Sequence, residues 1–277
     1  MTNRISLLLL VPAVVTTSTT AAWAAPTATD AAAPATVIVQ QPASPTSPAA
    51  TDPNVDRGFL QPTALTQPAG SLTYNNYELL LHGLTYGITD RVQVSATVLA
   101  PLVSQMPFVG VASVKWQFLS AARLHLALQG SGTMLHVALT ESDAPSGTVS
   151  NNAFLVGAGA FASYCLREDC SSLASLSATY QLALDGGGST SSVVVYGGSI
   201  VHRVAQHVKL LGEITSAAGG TGTSNLDNVS GALASYGVRF HNANLASDIG
   251  FMKPIFTNSS DPFLLGLPFI NVSYRWN

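Results

Sequence analysis

Charged residues are what this sequence has least of. Asp, Glu, Lys and Arg make up 9% of its 277 residues, against about 25% in ordinary soluble domains. The net charge is −3 and no run of Lys or Arg is present, which argues against nucleic acid as a partner. The mean hydropathy is +0.32, so we expect much apolar surface that never meets water.

Cysteine is almost as scarce. Cys165 and Cys170 are separated by four residues, and in an oxidising compartment this spacing predicts a disulfide that clips a short turn. A metal site needs further Cys or His ligands, and the neighbouring sequence offers none at a useful spacing. We therefore expect no metal and no cofactor.

A long apolar run is also missing. The apolar stretch from Ile5 to Val15 is about half of the ~20 residues that a spanning helix needs. Arg4 precedes it, and an A-x-A cleavage site follows at Ala22-Trp23-Ala24, which predicts a signal peptide over residues 1–24 and export of the rest. Residues 25–57 are rich in Ala, Thr, Pro and Ser, and we expect a disordered periplasmic linker there.

From Gly58 onward the sequence alternates with a period of two. Over residues 92–98 four apolar residues share one face, and Gln93, Ser95 and Thr97 share the other. The same alternation recurs at 113–118, 124–129, 173–184, 232–240 and 270–276. No comparable stripe at helical spacing is present, so the pattern predicts an all-β domain over residues 58–277.

The connections between these strands alternate in length. Short ones fall at 89–90, 120–122, 165–170, 205–206 and 242–243, and long Gly, Ser, Pro or Asn-rich ones fall between them. Tight turns at one end and long loops at the other are typical of an outer-membrane barrel. The polar faces carry mostly Ser, Thr, Gln and Gly, which suits a barrel lumen. We therefore predict a single antiparallel up-and-down transmembrane β-barrel.

The alternation gives a strand count of twelve. The predicted spans are 71–80, 83–88, 91–100, 107–119, 122–138, 151–164, 172–184, 192–203, 207–217, 230–240, 244–254 and 263–276. The first hairpin has weak turn residues at Glu78–Gly83, and without it the barrel would have ten strands.

Four segments carry a resemblance to a known family. They are Tyr86–Arg91, Tyr236–Phe240, Leu245–Phe251 and Phe269–Trp276. With them the chain resembles the uncharacterised, porin-like outer-membrane β-barrel proteins of Gram-negative bacteria over about residues 58–277. The resemblance implies an outer-membrane location, contact with lipid, and recognition of the closing strand by the barrel-assembly machinery. Trp276 is penultimate here, where such barrels usually end on an aromatic residue.

The predicted strand faces point a set of charged side chains toward the lumen. They are Lys115, Arg123, Lys209, Glu213, Arg239, Asp248 and Arg275, with His125 nearby. One interpretation is a basic constriction that favours anions. Another is that the two acids pair with basic neighbours and fill the interior. A third is that arginines near strand ends lie beside the water interface because charges avoid the apolar band.

Three functions are compatible with these residues. The first is a small pore or transport-related channel for small polar solutes. The second is a structural or adhesive barrel with a plugged lumen and external loops that bind a partner. The third is an outer-membrane hydrolase, for which His136 with Glu141 and Asp143 is the sole cluster to name; no hydrolase motif accompanies it. We expect no enzymatic activity.

Overall fold

The computed structural model describes residues 52–78, 80–99, 108–140, 148–184, 190–221, 229–255 and 265–276. It contains twelve strands. They are β1 (Leu72–Tyr77), β2 (Leu81–Thr89), β3 (Val92–Leu99), β4 (Phe108–Ala121), β5 (Leu124–Thr140), β6 (Thr148–Cys165), β7 (Leu173–Leu184), β8 (Thr190–Ala205), β9 (Val208–Thr221), β10 (Val229–His241), β11 (Leu245–Ile255) and β12 (Leu267–Trp276).

The strands form one closed barrel. Each strand pairs antiparallel with the next, and β1 closes the sheet by pairing with β12, from Leu72 opposite Trp276 to Tyr77 opposite Asn271. This confirms the prediction of an all-β, twelve-stranded antiparallel barrel and rules out ten strands. Within the described residues, no helix is long and apolar enough to cross a membrane.

The first hairpin differs from the prediction in its boundaries. β1 ends at Tyr77, three residues earlier than predicted, and β2 begins at Leu81 instead of residue 83. The turn is made by Glu78, which adopts a left-handed φ of 53°, and by a hydrogen bond from Leu80 N to Tyr77 O of 3.0 Å. The turn residues are poor, as noted, but pairing of β1 with β12 holds the hairpin in place.

The two faces of the strands are as the period-two pattern predicts. On β4, Trp116 is 52% exposed whereas its neighbour Lys115 is 2% exposed. Apolar side chains such as Leu128, Ile214 and Ile249 cover the outside of the barrel. The inside is lined by Ser, Thr, Gln, Asn and the charged residues described below.

Apart from residues 78–80 between β1 and β2, the short connections lie at one end of the barrel, which we call the turn end. They are residues 90–91, 122–123, 166–172, 206–207 and 242–244. A disulfide joins Cys165 to Cys170 in the longest of them. Most residues of the loops at the opposite end fall outside the described part of the chain.

The interior is filled by residues 52–71, which we call the plug. Asp52, Asn54, Phe59 and Thr63 of this segment are fully buried. The linker prediction for residues 25–57 therefore fails for residues 52–57, because their polar groups find partners on the barrel wall that offset the entropy of ordering. Residues 1–51, which include the predicted signal peptide, lie outside the described residues.

Candidate functional site

The strongest contacts between plug and wall are ionic. Lys209 Nζ lies 2.5 Å from Asp52 Oδ2, and Arg239 Nη1 lies 3.3 Å from the same oxygen. Arg239 also donates two hydrogen bonds to Asp248, from Nε to Oδ1 at 2.6 Å and from Nη2 to Oδ2 at 3.0 Å. All four side chains are almost fully buried.

Strand register brings these wall residues together. Arg239 on β10 is directly opposite Lys209 on β9 and Asp248 on β11. Directly opposite residues point to the same face of a sheet, so the three side chains reach the lumen side by side. A single carboxylate from the plug, Asp52, then contacts both cations.

The cations fix the protonation state of Asp52. Burial alone would raise the pKa of this carboxyl, but Lys209, Arg239 and His241 lower the pKa further than burial raises it, so the net pKa lies well below its usual range. Asp52 is therefore an anion at neutral pH, and the plug carries a fixed negative charge into a basic part of the wall.

Arg239 also holds the backbone of the plug. Its guanidinium donates to the carbonyl oxygens of Asn54 at 2.8 Å and of Gly58 at 2.5 Å. One arginine thus joins two wall strands and two points of the plug. The geometry resembles a clamp more than a free cation lining a channel.

The tip of the plug is held by Glu213 from β9. Its carboxylate accepts hydrogen bonds from the backbone N–H groups of Phe59, Leu60 and Gln61, with shortest distances of 3.1, 3.1 and 2.9 Å. Three consecutive N–H groups facing one carboxylate satisfy donors that would otherwise be buried without partners.

The other side of the plug is anchored by Arg57. Its Nη2 donates to Asn54 Oδ1 at 2.5 Å, Asn75 Oδ1 at 2.7 Å and Ser273 Oγ at 2.7 Å, and its Nη1 bonds the hydroxyl of Tyr77. This arginine therefore links the plug to β1 and β12, where the barrel closes.

Lys115 binds the plug without a carboxylate. Its Nζ donates to the carbonyl oxygens of Asp56 and Thr63, each at 3.1 Å. A small apolar cluster completes the packing: Phe59 meets Phe269 of β12 with ring centroids 4.6 Å apart. The plug is thus held by charge, hydrogen bonds and apolar contact together.

A polar cavity of about 110 Å³ remains between the plug and strands β1 to β5. Asp56, Arg57 and Leu60 of the plug form one side, and Gln93 and Lys115 lie among the residues of the opposite side. A space of this size holds a few waters, since one water occupies about 30 Å³ of the liquid.

The structure brings most of the predicted lumen residues together. Lys115, Lys209, Glu213, Arg239, Asp248 and Arg275 are all buried inside the barrel. Arg275 donates from Nη1 to Asp52 O at 3.3 Å and from Nη2 to Ala243 O at 3.1 Å. These positions favour the interpretation in which charged residues fill the interior over one in which they form an open constriction.

Arg123 is the exception. It lies in the turn between β4 and β5, where its half-exposed side chain pairs with Glu168 at 3.1 Å. The period-two pattern of the next strand begins at Leu124, so the alternation does not extend back to this residue. The placement in the lumen was therefore wrong.

Sequence analysis missed the plug residues and one neighbour of the disulfide. Asp52 and Arg57 fell within the predicted linker, and their partners are far away in sequence. His125 was predicted to lie near the lumen residues, and it lies beside the disulfide, with Nε2 3.5 Å from Cys170 Sγ. No local signal could link His125 to cysteines some forty residues away. Of the hydrolase cluster, Glu141 and Asp143 lie outside the described residues.

Comparison with known proteins gives matches in structure alone. No protein-family model and no curated protein matches the sequence. Among solved structures, a loop L8 deletion variant of OmpT, an outer membrane protein of Vibrio cholerae, matches with a TM-score of 0.44 and 12% identity over 71% of this chain and 62% of that chain.

Two further solved structures are similar. OmpT of Vibrio cholerae matches with a TM-score of 0.43 and 11% identity over 71% of this chain and 64% of that chain. The NanC porin matches with a TM-score of 0.44 and 7% identity over 74% of this chain and 97% of that chain. The chain thus spans less than two thirds of the length of the OmpT chains.

Proposed function

We propose that this chain is an outer-membrane β-barrel of a Gram-negative bacterium that its own plug holds closed. The membrane location is supported by the exposed apolar side chains around the barrel, among them Leu128, Ile214 and Ile249. In water such a surface would be strongly unfavourable, whereas in lipid it is the expected outer face of a spanning barrel. The closed sheet leaves no unpaired edge in the apolar layer.

The closed state rests on one observation above the others. Arg239, buried to 1% exposure, is bonded at once to Asp248 of the wall, to Asp52 and to backbone carbonyls of the plug. A cation used in this way offers no free charge to a passing anion. The geometry therefore favours the plugged, structural or partner-binding barrel over the passive pore that the sequence pattern placed first.

The proposal also includes how the barrel is assembled and whether it is an enzyme. β12, which ends at Trp276, is the strand that the barrel-assembly machinery would recognise. A hydrolase is disfavoured because His136 Nδ1 donates a hydrogen bond to Asn152 Oδ1, at 2.7 Å, and has no described nucleophile or acid as its partner. The proposed role needs no cofactor.

Conductance in a planar lipid bilayer tests the closed state. The refolded full chain should insert without stable open steps, whereas a variant lacking residues 52–67 should give stable steps because the polar wall is then exposed along the whole lumen. A milder variant, Glu213→Ala, removes the acceptor for three plug N–H groups and should open intermittently. This variant replaces the deletion in the test if the deletion prevents the barrel from assembling.

The control is Arg123→Ala, which changes a cation outside the lumen and should stay silent. Stable open steps from the unmodified chain would overturn the proposal. So would silence of both plug variants after their insertion has been verified by heat-modifiable migration on a gel, because the plug would then not be the seal.

A further inference from the structure

The disulfide at the turn end has a histidine beside it. His125 Nε2 lies 3.5 Å from Cys170 Sγ, and the ligand atoms of His125, Cys165 and Cys170 all fall within 4.8 Å of one another. The pairing of β5 with β6 creates this cluster, since Leu124 is opposite Tyr164, the residue before Cys165. Cys170 packs against the apolar cluster that includes Val55, Phe59 and Leu65 of the plug, but none of the three side chains takes part in the ion pairs that hold the plug.

The donor atoms match a zinc site in type, and the nitrogen lies at a suitable distance from one sulfur. Two cysteines separated by four residues fall within the spacing of paired zinc ligands, and a histidine is their usual companion. In a tetrahedral site with Zn–S of about 2.3 Å and Zn–N of about 2.05 Å, the sulfur and nitrogen lie about 3.6 Å apart. The distance from His125 Nε2 to Cys170 Sγ is 3.5 Å.

Neighbouring side chains orient the imidazole. Gln117 Nε2 lies 2.8 Å and Ser120 Oγ lies 3.2 Å from His125 Nδ1. A metal at Nε2 requires the proton on Nδ1, and Ser120 Oγ can accept it, as can Gln117 Oε1 after its amide rotates. Such a hydrogen bond on the far nitrogen is the usual support of a metal-bound histidine.

We propose that the turn end carries a redox-dependent site for a soft divalent ion of the zinc class. In the oxidised protein the disulfide occupies both sulfurs and no ion binds. A dithiol reductant gives two electrons and two protons to the disulfide, which becomes two thiols as the reductant becomes a disulfide. The ion then displaces one proton from each thiol and is held by Cys165 Sγ, Cys170 Sγ and His125 Nε2.

Three protein ligands leave the fourth position open. Metal sites of this kind keep a water or another ligand there, whereas purely structural zinc sites are closed by a fourth side chain. Cys170 is half-buried in the connection 166–172, which places the fourth position near the turn end of the barrel. The proposal therefore does not depend on whether the barrel conducts.

Cobalt binding to the full chain in detergent tests the site. Tris(carboxyethyl)phosphine reduces the disulfide, with water as the source of the two thiol protons and of the oxygen in the phosphine oxide. Addition of Co²⁺ should then give a thiolate-to-cobalt absorption band that saturates at one ion per chain, and Zn²⁺ should abolish it. The oxidised protein should give no band.

Two variants separate this site from adventitious binding. His125→Ala should weaken cobalt affinity at least roughly tenfold, the scale on which even supporting residues act. The double change Cys165→Ser and Cys170→Ser should remove the band, while His136→Ala is the matched control and should leave it unchanged. The absorption band reports bound metal, and heat-modifiable migration on a gel reports folding. A variant that migrates as a folded barrel but gives no band has therefore lost the site and not the fold.

Protection of the thiols gives an independent readout. Saturating Zn²⁺ should slow alkylation of reduced Cys165 and Cys170 in the unmodified chain and protect them much less in His125→Ala. Absence of the cobalt band in the reduced chain would overturn the proposal. Equal cobalt affinity in the His125→Ala variant would also overturn it, because a dithiol alone would then account for binding.

Discussion

Arg239 has partners in both the plug and the wall: Asp52, Asn54 and Gly58 of the plug and Asp248 of the wall. Arg239 lies opposite Asp248 on one side and opposite Lys209 on the other. The cations of Arg239 and Lys209 would repel each other, and Asp52 contacts both of them. The buried carboxylate of the plug thus relieves a repulsion that the wall cannot relieve alone. At the scale of single residues, plug and wall are complementary in charge.

Arg239→Ala tests this complementarity. The change leaves Asp248 buried without its ion-pair partner and removes one of the two cations that contact Asp52, and breaking a buried ion pair in this way costs about 3–5 kcal/mol. The free energy of unfolding, measured by guanidinium denaturation in detergent, should fall by that amount. Arg123→Ala, in an exposed pair with Glu168, should leave the midpoint unchanged; an equal loss in both variants would contradict the clamp.

Acid should loosen the plug through Asp52. The pKa of this carboxyl is depressed in the folded state, so its contribution to stability is complete above its unfolded pKa of about 4 and declines as the pH falls below that value toward the folded pKa. Denaturation curves between pH 6 and about pH 2 should therefore show a loss of stability in the acid range. Asp52→Asn should flatten that loss.

Other buried carboxylates contribute to the same acid range, so the difference between the two pH profiles is the measured quantity. Glu168→Gln is the matched control, since Glu168 lies in the exposed turn outside the lumen. A profile of Asp52→Asn parallel to that of the unmodified chain would contradict the role assigned to Asp52.

At the scale of elements, the strands were predictable and the plug was not. Alternation along a strand such as β4 is a local property, because each residue reports the face on which it lies. The plug has no such period. Several of its residues are held by partners more than 150 positions away, as with Gln61 and Thr215 or Phe59 and Glu213, and composition alone carries no trace of these contacts.

In the candidate site, too, some features could be predicted from the sequence and others could not. Lys115, Lys209 and Arg239 could be assigned to the lumen because they sit at polar positions of alternating strands. That they bind a segment of the same chain could not be inferred, since a polar wall is equally suited to water. The disulfide was predictable from spacing, whereas the approach of His125 depended on the register between β5 and β6.

Gly87 lies where the backbone of the plug passes close to the wall. A Cβ on this residue would lie 2.0 Å from Pro68 O, and the backbones are already joined by hydrogen bonds from Gly70 N to Gly87 O and from Gly87 N to Ser71 O, of 2.7 and 3.0 Å. Gly87→Ala should displace the end of the plug and destabilise the protein by about 1–3 kcal/mol.

Trypsin provides the measurement. Arg57 is the sole Lys or Arg between Arg4 and Arg91, so cleavage after Arg57 reports an open plug. Gly87→Ala should be cut there faster than the unmodified chain. Gly132→Ala is the matched control, because its Cβ would meet nothing closer than 3.8 Å; equal cleavage rates in the two variants would count against the close approach at Gly87.

At the scale of the whole molecule, charge is kept away from the outer face. The described charged residues lie in the lumen or near the strand ends, while the outer surface is apolar along the strands. This distribution explains how a chain with 9% charged residues builds an ionic interior: its few charges are concentrated away from the outer face. With the proposed membrane location, the outer face should tolerate charge less the deeper a residue lies in the bilayer.

Ile214→Arg tests this intolerance at the middle of a strand. Ile214 lies midway along β9 and is 51% exposed on the outer face, so an arginine there would meet the centre of the bilayer. We expect a loss of about 2–4 kcal/mol in folding free energy, measured by reversible folding into lipid vesicles. Leu124→Arg, at the first position of β5 and 40% exposed, is the matched control and should lose about 0–1 kcal/mol. Equal losses at the two positions, or none at Ile214, would mean that the outer face does not contact a bilayer with its centre near the middle of the strands.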